Sequence, residues 1–204
     1  MEEYTPYTVY ENVIKMFGYR NITASSAQLS KDDVSQALNN NYYLLINGAR
    51  DAHDQRGEAT VLVVLMAPDN TYASKSAEFK RVMRMFPKTS PEVIFVAPAA
   101  HSLAIAKQIE KNKATLAGVA IESLSYSLFM IELPKHVLVP RHELVPEAEV
   151  TKFCHDHYID RKQFPAIAAS DPQAIWLGLR PGMCVRIYRQ SNSVGILPVY
   201  RICV

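Results

Sequence analysis

Hydrophobic and polar positions in the first two thirds of the chain follow the pattern of an α/β protein. Apolar residues recur at helical spacing over residues 9–17, and Ser30 precedes two aspartates as the N-cap of a second helix that ends before Asn39. Residues 60–66 and 92–97 are apolar almost throughout, which is typical of strands buried on both faces. The pattern also predicts helices at residues 73–86 and 102–112, strands at 116–121 and 128–133 and a charged loop at 47–58, and it leaves 42–46 undecided between strand and helix.

The C-terminal pattern predicts a short helix followed by two strands. Asp171 is suited to cap the helix, Pro172 fits its first position, and Gly178 can end it in a left-handed conformation. Apolar and polar residues alternate over 183–188, and a second apolar run returns over 196–204. Pro198 places that second strand at a sheet edge or a bulge.

A proline-rich stretch separates these two patterns. Residues 134–146 contain three prolines and two histidines, which is typical of a linker. We therefore expect an α/β domain at residues 1–133, a linker at 134–146 and a small α+β domain with a short mixed sheet at 147–204, which opens with a helix from Pro146 to Tyr158.

Composition indicates a soluble intracellular protein. The longest apolar run, residues 61–67, is far shorter than the roughly 20 residues that cross a bilayer, and the acidic N-terminus does not resemble a signal peptide. Cys154, Cys184 and Cys203 form an odd set without paired spacing, which favours a reducing compartment. The net charge of +2 is too small to predict nucleic-acid binding, although basic residues outnumber acidic ones after Leu133. These basic residues either bind an acidic surface of a partner or lie on a face that is exposed to solvent.

One short motif imitates a metal-dependent nuclease. Asp69 after a proline, followed by Glu78 and Lys80, matches the pattern in which carboxylates hold a divalent ion and a lysine steadies phosphate. Glu78 and Lys80 fall in a predicted helix, however, where positions two apart do not face each other. A nuclease-like protein that uses these three residues is therefore the alternative, and not the main, interpretation.

Other catalytic and metal-binding patterns are absent from the sequence. Cys154, His155 and His157 lack the second pair of ligands that a structural zinc site needs. Seven glycines form no phosphate-binding loop, and no nucleophile, base and acid are spaced as a recognisable triad. We therefore expect no metal, no cofactor and no small-molecule ligand.

A basic stripe lies on the predicted helix at residues 73–86 and just beyond it. Lys80, Arg84 and Lys88 recur every four residues, next to Lys75 and Arg81. Such a stripe is most often the water-facing side of an amphipathic helix, but it can also lie along the phosphates of a duplex.

The C-terminal motifs together resemble one family, the fifth subunit shared by the eukaryotic nuclear RNA polymerases, which has a counterpart in the archaeal enzyme. No single motif is specific, but their order and spacing match. They are Phe164-Pro165, Asp171-Pro172-x-Ala174, Gly178-Leu179-Arg180-x-Gly182, Val185-Arg186-Ile187, Arg189-x-Ser191, Gly195 and Tyr200-Arg201, with Leu138-Val139-Pro140-x-His142 upstream.

The sequence also departs from that family. Ala166 and Ile175 stand where arginine is usual, and Leu197-Pro198 replaces β-forming residues. These departures indicate a fast-diverging copy of the kind carried by large cytoplasmic DNA viruses of the African swine fever type. Such a copy would act in the host cytoplasm and the virion, whereas a cellular copy would act in the nucleus.

The resemblance implies a non-catalytic subunit of a multisubunit DNA-directed RNA polymerase. Its C-terminal domain would dock on the largest subunit among the other polymerase subunits, and its N-terminal domain would be a jaw beside downstream duplex DNA. Contacts with that DNA, through Lys80, Arg81, Arg84 and Lys88, would involve phosphates only. No membrane contact is expected. A free-standing regulatory adaptor that binds the polymerase is a further alternative.

Candidate partner-binding residues follow from the C-terminal motifs. Trp176, the only tryptophan, is either a core residue or an interface anchor. The arginines near the two terminal strands suit docking against a partner and also protect an exposed edge. The candidates are Asp171, Pro172, Trp176, Arg180, Arg186, Arg189 and Arg201.

Overall fold

The structure is a computed structural model that describes residues 5–25, 27–41, 43–68, 91–111, 118–191, 193 and 195–204. Its contacts divide the chain into an N-terminal unit, Met1–Ile131, and a C-terminal unit, Glu132–Val204. Each unit combines helices with one β-sheet, so the expected mixture of α and β structure is confirmed.

The N-terminal unit is built on a five-stranded mixed sheet. Its elements are α1 Pro6–Tyr19, β1 Ile22–Ala24, α2 Lys31–Asn41, β2 Tyr43–Arg50, β3 Ala59–Met66, β4 Pro91–Ala97, α3 Ala99–Lys111, β5 Ala120–Ser125 and a 3-10 turn at Tyr126–Phe129. The strands lie side by side in chain order. The β1–β2 and β2–β3 pairs are antiparallel, whereas β3–β4 and β4–β5 are parallel. The predicted α/β layer therefore corresponds to the parallel part of the sheet.

Strand β3 forms the centre of the N-terminal core. Every residue from Val61 to Leu65 is buried, as the continuously apolar run predicts for a strand covered on both faces. Leu62 and Val64 pack in one cluster with Phe95 of β4 and Ile105 of α3. The apolar stripe of α3 thus covers one face of the sheet.

Charged side chains are buried at the end of the sheet where β2 finishes and β4 begins. Arg50 donates from both terminal nitrogens to the Glu92 carboxylate, at 2.8 and 3.2 Å. Arg20 lies 3.5 Å from the same carboxylate and donates to Glu122 at 2.9 Å. All of these side chains except Glu122 are buried, so the charges compensate each other out of contact with water.

The C-terminal unit is built on a four-stranded sheet in the order β6-β8-β9-β7. Neighbouring strands are antiparallel except β7 and β9, which are parallel. The elements are a 3-10 turn at Leu133–Lys135, β6 Arg141–Val145, α4 Glu147–His157, a 3-10 turn at Arg161–Gln163, β7 Ala166–Ile167, α5 Pro172–Leu177, β8 Cys184–Ser191 and β9 Gly195–Cys203. The expected short mixed sheet is therefore present.

Helix α4 covers one face of the C-terminal sheet. Its Val150 packs in a cluster with Val145 and Cys184, and the Phe153 ring lies 4.6 Å from the ring of Tyr200. Cys184 and Val185, on opposite faces of β8, are both buried. The half-buried strand predicted here is therefore covered on both sides.

The predicted linker at residues 134–146 contains regular structure. Arg141–Val145 is a strand that pairs antiparallel with β8, with His142 opposite Ile187. The sequence pattern conceals this strand because prolines dominate it. Those prolines flank the strand, at Pro140 and Pro146, and therefore leave its hydrogen-bonding residues free to pair.

Several shorter predictions are wrong at the level of single elements. The strand predicted at residues 128–133 is replaced by 3-10 turns, because Phe129 enters the core from a turn without any strand partner. Helix α2 continues through Asn41, beyond its predicted end, and β2 extends through residues 47–50 of the predicted loop. Of the strand predicted at 116–121, residues 116 and 117 lie outside the described residues, and the strand that is described begins at Ala120.

Candidate docking surface

The short helix α5 is positioned by its own capping residues. Asp171 accepts a hydrogen bond from the Gln173 backbone at 2.8 Å, and Pro172 occupies the first helical turn. Gly178 adopts the left-handed conformation, with a φ of 61°, and Leu179 donates back to Ala174 at 2.9 Å. The predicted helix is confirmed in full, because all of its signals are local. Asp171 and Pro172 therefore act first as structural residues.

Trp176 belongs to the core of the C-terminal unit. Its side chain is 0% exposed, so none of its surface is available on the outside of this unit. Short helices depend on tertiary packing for their stability, and Trp176 provides the largest buried side chain of this six-residue helix. Of its two predicted roles, the structure supports the core residue.

Arg186 is paired within the unit. It donates to Glu149 of α4 at 2.6 Å and to Glu143 of β6 at 3.2 Å, and Glu143 also accepts from Tyr188 at 2.6 Å. Hydrogen bonding to Tyr200, together with the carboxylate of Glu143, raises the pKa of Arg186. The bond from Tyr188 lowers the pKa of Glu143. Arg186 therefore holds α4 on the sheet.

Arg189 and Arg201 line a groove of about 250 Å³ on the other face of the sheet. Arg189 is exposed, whereas Arg201 is half-buried and donates to the Ala166 carbonyl at 3.1 Å. The rest of the lining is Leu138, Val139, Pro140, His142, Ile167, Asp171, Gln173 and Ile187. Two of the arginines that were predicted to bind a partner thus lie beside apolar side chains in this groove.

Sequence reasoning does not single out several of these lining residues as functional. His142 and Leu138 belong to the upstream motif, but the pattern places them in a linker. His142 bonds the Pro140 carbonyl at 2.6 Å, and burial lowers the pKa of its imidazole. Gln173 escapes prediction because a glutamine inside a short helix gives no signal of burial in sequence.

Arg180 lies away from this groove. It follows α5, is exposed, and is not among the groove-lining residues. Its backbone N–H lies 3.4 Å from the Met183 sulfur in the turn that leads to β8. The structure therefore separates the four predicted arginines into one that is internally paired, two that line the groove and one in a turn.

Cys154, His155 and His157 of α4 do not form a metal site with other described side chains. His155 and His157 are exposed, and the ring of His157 lies 4.3 Å from that of Phe153. Within the described ranges, no group of three or more histidine, cysteine, aspartate or glutamate side chains is arranged to hold a metal ion. Burial raises the pKa of the Cys184 thiol to about 11, which keeps it protonated and unreactive at neutral pH.

The remaining predicted residues lie outside the part of the chain that the structure describes. They are the nuclease-like Asp69, Glu78 and Lys80 and the DNA-proximal Lys80, Arg81, Arg84 and Lys88. Among the residues that are described, no helix is long and apolar enough to span a membrane.

Comparison with known proteins gives matches that agree with this division of the chain. The family model for the C-terminal domain of RNA polymerase Rpb5 matches residues 131–203, which is nearly the whole C-terminal unit. A DNA-directed RNA polymerase RPB5 homolog from the Pretoriuskop tick isolate of African swine fever virus is 25% identical over 190 residues, covering 91% of this chain and 90% of the viral protein.

Other relatives are more similar over shorter regions. The homolog from a Malawi tick isolate of the same virus is 33% identical over 85 residues, or 42% of each chain. The DNA-directed RNA polymerase subunit Rpo5 of Pyrococcus horikoshii is 40% identical over 70 residues, which are 34% of this chain and 85% of the archaeal protein. The expected likeness to the African swine fever type is thus confirmed, and the chain belongs to the Rpb5 family of RNA polymerase subunits.

Proposed function

We propose that this chain is a non-catalytic subunit of a multisubunit DNA-directed RNA polymerase. Its C-terminal unit docks on the largest subunit and supports assembly, while its N-terminal unit acts as a jaw beside downstream duplex DNA. Nucleotide addition takes place in the large subunits. By its likeness to the viral homologs, the complex works in the cytoplasm of an infected cell and is carried in the virion.

The observation that carries this proposal is the match to the archaeal subunit. The 70 matched residues make up 85% of that protein but 34% of this chain, so the archaeal subunit consists mostly of a segment that this chain shares. A segment that makes up most of one polymerase subunit and a smaller part of this chain is the part through which the two proteins can share a role. Assembly with the other subunits is the role that both can share.

The surface of the C-terminal unit is suited to an assembly role. Val137 is 91% and Leu138 83% exposed, and Ile196 is also exposed. Large apolar side chains gain stability when a partner removes them from water, and contiguous exposed apolar patches mark interaction sites. The unit has its own buried core around Trp176, so these residues are displayed on a folded surface.

The jaw role of the N-terminal unit rests on the family resemblance and on the basic stripe at Lys80, Arg84 and Lys88. Phosphate contacts would make DNA binding by the assembled polymerase more sensitive to salt. Reversing the charges at Lys80 and Arg84 should therefore lower the salt dependence of duplex binding without changing sequence preference. An unchanged salt dependence would remove DNA contact from the proposal and leave the assembly role intact.

The assembly role is tested by tagging the full chain in its native source and purifying it in high salt. Two very large subunits should remain bound at equal stoichiometry and support template-dependent RNA synthesis. A regulatory adaptor would instead appear in substoichiometric amounts, and its removal would leave an assembled enzyme. Purification of the chain alone would contradict the proposed function.

A further inference from the structure

Two of the three cysteines lie in one small apolar cluster of the C-terminal unit. Cys184, at the start of β8, is buried in this cluster with Val145 and Val150, and the half-buried Cys154 packs against it. Val145 pairs with Cys184 in the strand register, so their side chains share the face of the sheet that α4 covers. Val150 and Cys154 are four residues apart and therefore lie on the same face of α4. The helix thus presents one thiol to the part of the sheet that carries the other.

Arg161 joins the two elements that carry these thiols. Its guanidinium donates to the Glu147 carboxylate in the first turn of α4, with Nη2 at 2.9 Å from Oε2, and to the carbonyl of Gly182, which lies two residues before Cys184. Burial raises the pKa of the Cys184 thiol to about 11, whereas the charge of Arg161 lowers this pKa and that of Cys154 raises it. Ionisable groups act on one another in this way only at short range, so both sulfurs and this guanidinium share one site.

Cys203 differs from this pair. It follows Ile202, which pairs with Cys184, so the Cys203 side chain points to the opposite face of the sheet, and it is buried there. A single buried cysteine is normally a small apolar side chain that takes part in no reaction. Cys154 and Cys184 are not single, because solvent reaches one of them and the other lies beside it. A redox-sensing cysteine next to a resolving cysteine has this arrangement.

We propose that Cys154 and Cys184 form a reversible redox pair, which closes a disulfide between α4 and β8 when the chain meets a peroxide. A disulfide joins Cα atoms that are roughly 4.4–6.8 Å apart, so the helix and the strand must lie close together. The buried residues of the cluster are two valines and a cysteine, whose short side chains let α4 approach the sheet at this point. This inference does not rest on the proposed function, because it concerns the chemistry of the folded C-terminal unit.

The disulfide forms in two steps, and the half-buried Cys154 reacts first. Its sulfur attacks one oxygen of hydrogen peroxide and breaks the O–O bond, so that Cys154 becomes a sulfenic acid and the other oxygen leaves as water with the thiol proton. Cys184 stays protonated until this sulfenic acid is held beside it at a high effective concentration. The Cys184 sulfur then displaces the sulfenic hydroxyl, which leaves as water with the Cys184 proton. Two thiols have then lost two electrons to one peroxide, and a dithiol reductant reverses the change by exchange.

The closed disulfide holds α4 on the sheet. It links positions 154 and 184 and thereby restricts the unfolded chain between them, which stabilises the folded state. The oxidised C-terminal unit should therefore unfold at a higher urea concentration than the reduced unit, and the midpoint should return to its first value after treatment with a dithiol reductant. The fluorescence of Trp176, the only tryptophan, follows unfolding of this unit.

Hydrogen peroxide added to the reduced full chain tests the pair. The unaltered chain should lose two of its three thiols and the mass of two hydrogen atoms, and peptide mapping should find Cys154 joined to Cys184 within one chain. Cys203→Ala is the matched control, since Cys203 is a buried thiol on the other face of the sheet, and it should form the same bond. Cys154→Ala and Cys184→Ala should form none, and neither should show the rise in the urea midpoint.

Peptide mapping of the unaltered chain decides the question even if a variant fails to fold. Oxidation of Cys154 to a sulfinic acid without a bond to Cys184 would overturn the proposal. A disulfide between two chains, or one that includes Cys203, would do the same, as would a loss of thiols that a dithiol reductant does not restore. The role of the chain as a polymerase subunit is unaffected by any of these results.

Discussion

Arg186 of β8 donates a hydrogen bond to Glu149 of α4 at 2.6 Å and thereby ties the helix to the sheet. The same guanidinium reaches Glu143 on β6, so one side chain connects three elements. The Arg186 side chain is 24% exposed, and its guanidinium carbon lies 5.6 Å from the centroid of the Tyr188 ring. Such a cation contributes to the stability of the unit more than to an outer surface.

Replacing this arginine should therefore destabilise the C-terminal unit. Arg186→Met removes hydrogen bonds to two carboxylates, and we expect a loss of about 1–3 kcal/mol in the free energy of unfolding. Urea unfolding followed by the fluorescence of Trp176, the only tryptophan, measures this unit specifically. Arg141→Met is the control, because Arg141 pairs with the same Glu143 from an exposed position and should change stability by less than about 1 kcal/mol.

A different result would identify Arg186 as an interface residue. If Arg186→Met left the unfolding midpoint unchanged but abolished association with the polymerase, the arginine would be a docking residue, as the sequence pattern indicates.

The predictable parts of the C-terminal unit are those whose causes are local. Asp171, Pro172 and Gly178 determine α5 within eight residues, and each acts on its own backbone neighbourhood. The two terminal strands follow from their apolar runs, and Pro198 lies in the part of β9 that has a partner on one side only. These features can be predicted without information about residues that are distant in sequence.

The candidate site is less predictable because distant segments form it. The sequence shows that Arg186 is a cation, but its partners Glu149 and Glu143 lie 37 and 43 positions away. Only the strand register brings His142 to the side of Ile187 and places Arg189 on the same face. The prolines around β6 make that segment look like a linker in the sequence, so neither the strand nor the place of His142 in the groove can be predicted.

The buried pair of Arg50 and Glu92 leads to a second prediction, which concerns the stability of the N-terminal unit. Glu92→Gln would leave Arg50 and Arg20 as buried cations without a full counter-charge, and we expect a loss of about 3–5 kcal/mol in the free energy of unfolding. Chemical denaturation followed by circular dichroism measures the change. Glu122→Gln is the control, because Glu122 is partly exposed and pairs with Arg20 at the edge of this cluster, and it should cost about 1 kcal/mol or less. Equal effects of the two substitutions would contradict the central role of Glu92.

The burial of Trp176 predicts a large effect on stability. Trp176→Ala should destabilise the C-terminal unit by about 3–5 kcal/mol, because it removes the anchor of α5 and leaves a cavity. Val137→Ala, at a side chain that is 91% exposed, should change stability by less than about 0.5 kcal/mol. Thermal unfolding by circular dichroism compares the two variants. A stable Trp176→Ala variant that failed to join the polymerase would show that the tryptophan is an interface anchor after all.

The lowered pKa of His142 leads to a prediction of how the stability of the C-terminal unit depends on pH. Because a carbonyl oxygen only accepts hydrogen bonds, Nδ1 of His142 donates to Pro140. Burial lowers the pKa of this imidazole, the bond to Pro140 and the charge of Asp171 raise it, and Arg189 and Arg201 lower it further. The net result is a folded pKa below the value of 6.5 expected in the unfolded chain.

The sign of the effect follows from proton binding in the two states. Between the folded pKa and 6.5 the unfolded chain binds more protons, so stability should fall as the pH drops through this window and stay constant above it. Urea midpoints from Trp176 fluorescence at pH 7.5, 6.5 and 5.5 measure this dependence. His142→Gln should flatten the curve, whereas His155→Gln, at an exposed ring, should not. Curves that are equally steep in all three proteins would assign the acid sensitivity to other groups.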